Sequence, residues 1–166
     1  SGATEALANC ILGLINPGDE VVLIEPLYDS YLPMVRRAGG IAKIVRIEPP
    51  AWELPKERLA AAFSDKTKLI LLNSPHNPAG KVFNLSELSF IADLVKKHDV
   101  YAICDEVYEH LVFDGQKHIP LMTLPNMRER CLRIVSAGKT FSVTGWKVGY
   151  ITASARLLSS VAKSHQ

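Results

Sequence analysis

The run Lys68-Leu69-Ile70-Leu71-Leu72 constrains the fold of this chain more than any other stretch. A continuous apolar run has no polar face to turn to solvent. It belongs in a strand buried on both sides, as in a parallel sheet covered by helices. It empties into Asn73-Ser74-Pro75-His76-Asn77-Pro78-Ala79-Gly80, whose prolines, asparagines and glycine demand a structured loop. Shorter strand-like runs recur at Glu20 to Ile24, Ile41 to Ile47, Tyr101 to Cys104 and Leu132 to Val135. Helical spacings lie between them. Residues 3–15 carry Ala6, Leu7, Cys10, Ile11 and Leu14, and Asn16-Pro17-Gly18-Asp19 closes that helix. A helix of about ten residues runs from Asp29 to the Gly39-Gly40 stop. After Pro49-Pro50, Pro55 opens a short helix to Phe63. Asn84 and Glu87 form a capping box ahead of Leu88, Ile91, Ala92 and Val95.

Strands alternating with helices predict an α/β domain with a mostly parallel sheet and helices on both faces. One link breaks the pattern. Val135 and Val148 are separated by about a dozen residues without helical periodicity, so the last strand, Val148 to Thr152, is expected to run antiparallel. That return brings Lys147, at the start of its strand, to the sheet edge where Lys139 follows the end of the preceding one.

Composition removes several classes of function. A net charge of +2, with no basic run interleaved with aromatics, gives no footprint for nucleic acid. No apolar segment approaches the ~18 residues that a membrane helix needs. Cys10, Cys104 and Cys131 lack metal-ligand spacing and read as core thiols of a reducing, cytoplasmic compartment. The chain begins at Ser1-Gly2 without methionine and ends at Ser164-His165-Gln166 inside a further helical pattern. Residues 1–166 therefore read as one domain cut from a longer protein at both ends.

In open α/β sheets, ligands sit beyond the carboxyl ends of the strands. This chain places unusual polar residues there repeatedly: Glu25 to Tyr28, Asn73 to Asn77, Asp105 with Tyr108, and Ser136 to Lys139. Gly2-Ala3-Thr4, opening the first helix, adds backbone N–H groups suited to a phosphate. An isolated lysine is ordinarily a surface residue, but Lys139 stands in a small-residue loop directly behind a buried strand. Lysine is also the side chain that condenses with carbonyl compounds. A phosphorylated aromatic aldehyde would use the whole set. Its aldehyde needs an amine, its ring nitrogen an anionic partner, its phenolic oxygen a hydrogen-bonding phenol or amide, and its ring a stacking face. Pyridoxal 5′-phosphate has these groups.

Three ordered motifs carry a family resemblance. Asn73-Ser74-Pro75-His76-Asn77-Pro78-Ala79-Gly80, Asp105-Glu106-Val107-Tyr108 and Ser136-Ala137-Gly138-Lys139-Thr140-Phe141 resemble class I pyridoxal-phosphate aminotransferases, over essentially the whole chain. The segments Glu25 to Tyr31, Gly80 to Phe83 and Thr144 to Tyr150 resemble the kynurenine aminotransferase, glutamine transaminase K and cysteine-conjugate β-lyase branch. The resemblance implies the large domain of the fold type I enzymes. It implies Lys139 as the amine joined to the cofactor aldehyde and as the later base at Cα. It further implies Asp105 on the pyridine nitrogen, Asn77 and Tyr108 on the ring's phenolic oxygen, and Tyr28 stacked on the ring. Gly2, Ala3, Thr4, Ser136 and Lys147 would hold the phosphate. Many relatives carry arginine at the Lys147 position, and a lysine supplies charge without the two-pronged geometry.

Also implied are ping-pong transfer from an amino acid to a 2-oxo acid, a β-elimination side activity, and a homodimer that completes the active site. The arginine for the substrate carboxylate would lie in a small domain beyond Gln166, so this piece alone is expected to be inactive. His76, His110, His118 and Trp146 receive structural roles and Glu106 a buried or capping one. Two other readings share the cofactor residues. One is a succinyldiaminopimelate or aspartate aminotransferase or an aminocyclopropane-carboxylate synthase-like enzyme. The other is a regulatory domain that binds the cofactor as an effector.

Overall fold

The computed structural model describes residues 1–165. Its centre is a six-stranded sheet in the order β2-β1-β3-β4-β5-β6. The strands are β1 (Glu20–Glu25), β2 (Ile41–Arg46), β3 (Thr67–Asn73), β4 (Tyr101–Asp105), β5 (Cys131–Ser136) and β6 (Gly149–Thr152). The first five are parallel, and β6 returns antiparallel beside β5, with Ser136 opposite Gly149 and Val135 opposite Tyr150. The mostly parallel sheet and the antiparallel last strand are as the spacing predicts.

The inner strands feed two cores because successive side chains point to opposite faces. Val21, Leu23, Leu69, Leu71, Ile103, Leu132 and Ile134 face α1 (Gly2–Leu14), α2 (Tyr31–Arg37) and α6 (Ala155–His165). Val22, Ile24, Ile70, Leu72, Ala102 and Cys104 face α3 (Lys56–Ala61) and α4 (Leu85–Lys97). Leu69 to Leu72 are all nearly inaccessible to solvent, which explains why β3 has no polar alternation. Burying a side chain of that size stabilises by about 2 kcal/mol, so this run anchors both layers at once.

Local chemistry sets the helix ends. The Asn84 side chain accepts from the Glu87 N–H at 3.0 Å, and the Glu87 carboxylate accepts from the Asn84 N–H at 3.0 Å. This is the reciprocal box its spacing indicates. α2 is shorter than its sequence pattern, because Asp29 and Ser30 remain in a turn and the Tyr31 N–H donates to the Tyr28 carbonyl. The segment after β5 holds a one-turn helix, α5 (Ala137–Thr140), where no helical periodicity is visible. Four residues cannot show an apolar stripe. The turn is held instead by Phe141 N–H to Ala137 O at 2.9 Å and Ala137 N–H to Val148 O at 3.1 Å. Trp146 is a further difference: at 77% exposure it adds nothing to the core.

All three cysteines are buried free thiols. No helix among the described residues is long and apolar enough to cross a membrane.

The start of α1 lies directly on β6. A Cβ on Gly149 would stand 2.7 Å from both the Ala3 nitrogen and the Gly2 carbonyl carbon, where only backbone could yield. Gly149→Ala is therefore expected to destabilise by about 1–3 kcal/mol. Gly145→Ala, where nothing lies within 4 Å of the added carbon, should stay within about 0.5 kcal/mol. Denaturant melts of the two variants check this. Equal stabilities would contradict the close contact between α1 and β6.

Candidate active site

The strand order places a crevice at the carboxyl end of the sheet. β1 is followed in sequence by β2 on one side and paired with β3 on the other, so the segments leaving β1 and β3 diverge. A cavity of about 160 Å³ is lined by residues from these ends. Gly2, Ala3 and Thr4 come from the start of α1, Tyr28 from the segment after β1 and Asn77 from the loop after β3. Asp105 ends β4, Tyr108 follows in the next turn, Ser136 ends β5, Lys139 sits on α5 and Lys147 precedes β6. Every site residue expected from sequence lines this one cavity.

The start of α1 is open to an anion. Its first N–H groups have no intrahelical acceptors, and Ser1 makes no side-chain cap to them. Gly2 is in the left-handed region at φ +68°, as is Lys147 at φ 53°. For Lys147, which carries a Cβ, that conformation is strained, and the backbone of Gly2 packs against it. The cation and the helix terminus are thus held together beside Ser136 and the same cavity.

Asp105 supplies the opposite charge. Its residue is 4% exposed, and burial raises its carboxyl above the ordinary range. The Tyr31 hydroxyl donates to Oδ2 at 2.6 Å and the Val107 N–H to Oδ1 at 3.3 Å, both opposing that rise. Neighbouring Glu106 adds to it. Among the described residues no lysine or arginine forms an ion pair with Asp105. A buried carboxylate without a cationic partner, in a cavity that also offers a helix terminus, two amines, a phenol and an amide, suits a ligand with a protonated ring nitrogen and a phosphate. Pyridoxal phosphate fits this donor set.

The other groups are fixed by contacts that sequence reasoning did not resolve. Asn73, at the end of β3, donates through Nδ2 to the Asp105 carbonyl at 2.9 Å, and its Oδ1 accepts the Asn77 N–H at 2.6 Å. One side chain ties the Asn77 loop to the end of β4. The Lys139 ammonium lies 5.4 Å from the centroid of the Tyr108 ring, within cation–π range. Tyr28 meets Tyr31 edge to face, with centroids 5.4 Å apart. Tyr31 was not singled out in the sequence. Its place three residues after Tyr28, at a helix start, was the available signal.

Glu106 braces the turn that carries Asp105 and Tyr108. Arg133 Nε donates to Glu106 at 2.6 Å, its other arm pairs with Glu109, and His118 Nε2 lies 3.0 Å from Glu106. The two glutamates and the histidine bring ligand-type atoms within 4.8 Å of one another, but both carboxylates already pair with the Arg133 guanidinium. Burial lowers the affinity of Arg133 for its proton, and the two carboxylates more than compensate, so its pKa is raised. His76 is buried against Phe83 and is not among the residues lining the cavity. Its burial pushes its pKa below the ordinary imidazole value, partly opposed by the backbone of Ile24, with nearby Lys81 lowering it further.

A parallel sheet with a cationic helix terminus, a lysine behind a buried strand and a buried acid defines a fold and site of known type. The sequence model for "Aminotransferase class I and II" matches residues 1–166, and the chain belongs to that family. The family uses pyridoxal phosphate. The chain is 47% identical to a kynurenine–oxoglutarate transaminase of Dictyostelium discoideum, over 99% of its own length and 42% of the relative's. It is 40% identical to the methionine aminotransferase of Escherichia coli, over 100% of its length and 43% of that enzyme. Among solved structures, N-succinyldiaminopimelate aminotransferase of Mycobacterium tuberculosis superposes with a TM-score of 0.96 at 44% identity, covering 98% of this chain and 43% of that one. The chain thus spans well under half the length of these relatives, and its fold is that of fold type I aminotransferases.

The raised Asp105 pKa gives a testable sign. In the ligand-free protein, the folded state holds a proton on this carboxyl at pH values where the unfolded state has released it. Folding stability contributed by this group therefore falls as pH rises from about 4 through the raised pKa. Relative to Asp105→Asn, the wild type should lose about 1.4 kcal/mol for each unit of elevation. Melts of both proteins at pH 4 and pH 7 check it, and a difference independent of pH would contradict it.

Proposed function

We propose that this chain is the cofactor-binding part of a longer pyridoxal-phosphate-dependent transaminase. The reaction is transfer of an amino group from an amino acid to a 2-oxo acid in two half-reactions. The observation that carries this reading is the convergence of Lys139, Asp105 and the uncapped start of α1 on one cavity. When bound, pyridoxal phosphate supplies an aldehyde that takes up amino groups and a ring that stabilises negative charge at the substrate Cα.

The residues divide that work. Lys139 would hold the cofactor through its amine and would serve as the base that moves the proton at Cα of the amino acid. Asp105 keeps the ring nitrogen protonated by pairing with it, which its burial makes effective. Asn77 and Tyr108 hydrogen-bond the phenolic oxygen, and Tyr28 stacks on the ring. Gly2, Ala3, Thr4 and Ser136 bind the phosphate through donors, with Lys147 as a point charge.

The names of the relatives support kynurenine- and methionine-type amino donors, and the branch resemblance adds glutamine. The mycobacterial structure supports a second reading, a succinyldiaminopimelate-type substrate. A homodimer completes the site in this proposal, and the carboxylate-binding arginine and most of substrate choice lie outside residues 1–166.

The test uses the full-length protein loaded with pyridoxal phosphate and reduced with borohydride. Peptide mapping should find a covalent pyridoxyl group on Lys139. Lys139→Ala should lose both the adduct and the visible absorption band of the bound cofactor. An adduct on Lys147 or another lysine would overturn the assignment. Turnover of kynurenine, glutamine, methionine and N-succinyldiaminopimelate by the wild type then separates the two substrate readings.

A further inference from the structure

Tyr31 is buried, lines the cavity and belongs to none of the roles above. Three contacts converge on it. Its hydroxyl donates to Asp105 Oδ2 at 2.6 Å, its ring packs edge to face with that of Tyr28 with centroids 5.4 Å apart, and its N–H donates to the Tyr28 carbonyl at 3.1 Å. Residue 31 therefore joins the segment after β1 to the end of β4, across the crevice where the chain diverges. We propose that Tyr31 is the positioning residue that orients the Asp105 carboxylate, and with it the Tyr28 ring, for the cofactor's pyridine ring. The inference rests on the cofactor reading of the same cavity.

The physical argument begins with the carboxylate. A buried aspartate can rotate about its last bond, and each rotamer aims its lone pairs elsewhere. A 2.6 Å O–H···O bond to one oxygen is at the short, strong end for such contacts. It pins Oδ2 while the Val107 N–H holds Oδ1. The donor is reliable, because burial and the adjacent Asp105 charge push the Tyr31 phenol far above its ordinary range and keep its proton in place. The helix start matters too. Tyr31 is the first residue of α2 and is 3% exposed among packed residues, so the hydroxyl has little freedom to follow a displaced acid. Tyr31→Phe removes the hydroxyl and leaves the ring contact with Tyr28.

A role through Asp105 differs measurably from a general packing role. The full-length enzyme is stripped of cofactor, and dissociation constants are measured for pyridoxal phosphate and for its 1-deaza analogue, in which C–H replaces the ring nitrogen. Only the first can pair with Asp105. Tyr31→Phe should weaken pyridoxal phosphate about tenfold, the scale of a hydrogen bond to a charged group, and change the 1-deaza analogue by less than about twofold. In an Asp105→Asn background the same substitution should have no further effect on either ligand. Equal weakening of both ligands, or of neither, overturns the proposal.

If Tyr31→Phe does not fold, 3-fluorotyrosine placed at position 31 alone keeps the shape and strengthens the donor. It should tighten pyridoxal phosphate without affecting the analogue, and no difference between the ligands overturns the proposal. Failure of the wild-type apoenzyme to bind either ligand would instead overturn the cofactor reading beneath it.

Discussion

The buried carboxylate of Asp105 is the constraint on which the site depends. A carboxylate that is 4% exposed is costly unless its charge is used. Here two donors reach it, and neither is a cation. Much of the surrounding structure limits where that charge can go. Tyr31 holds one oxygen from α2, Asn73 holds the backbone carbonyl from β3, and the register pairs Asn73 with Asp105. On the far side, Glu106 N–H donates to the Ile134 carbonyl of β5, while Arg133 spans Glu106 and Glu109. An ion network of this kind is weak evidence for net stability, since desolvation offsets much of the attraction. Its geometric effect is clearer: it fixes the turn that presents Asp105 and Tyr108 to one cavity.

A second constraint is the antiparallel return of β6. A parallel final strand would need a crossover and would carry Lys147 to the opposite edge. The short return keeps Lys147 near Lys139 and lays Gly149 against the first residues of α1. The end of the cavity at the start of α1 is thus built from the first residues of the chain and the turn before β6. Its left-handed Gly2 and Lys147 are a local cost sustained by the packing around them.

Much of this was legible in the sequence for identifiable reasons. Leu69 to Leu72 could be assigned to a doubly covered strand because no polar residue interrupts them. Asn84 and Glu87 announced a capping box because the motif is local, three residues apart. The ends of β1, β3, β4 and β5 could be aligned because parallel α/β sheets gather their carboxyl ends on one edge. What escaped is non-local or too short to have a period. Tyr31 and Asp105 are 74 residues apart, and nothing in either neighbourhood specifies their bond. Arg133 stood inside an apolar run, while its carboxylate partners lie 24 and 27 positions earlier. The single turn α5 offered too few residues for any periodicity.

If this cavity serves amino-group transfer, the stoichiometry of a single half-reaction shows it. The full-length protein, loaded with pyridoxal phosphate and freed of excess cofactor, is mixed with one amino acid and no acceptor. Release of one equivalent of the corresponding 2-oxo acid per site and then a halt is expected, with a second equivalent only after an acceptor 2-oxo acid is added. Retention of the cofactor with no 2-oxo acid from any amino acid donor would contradict it.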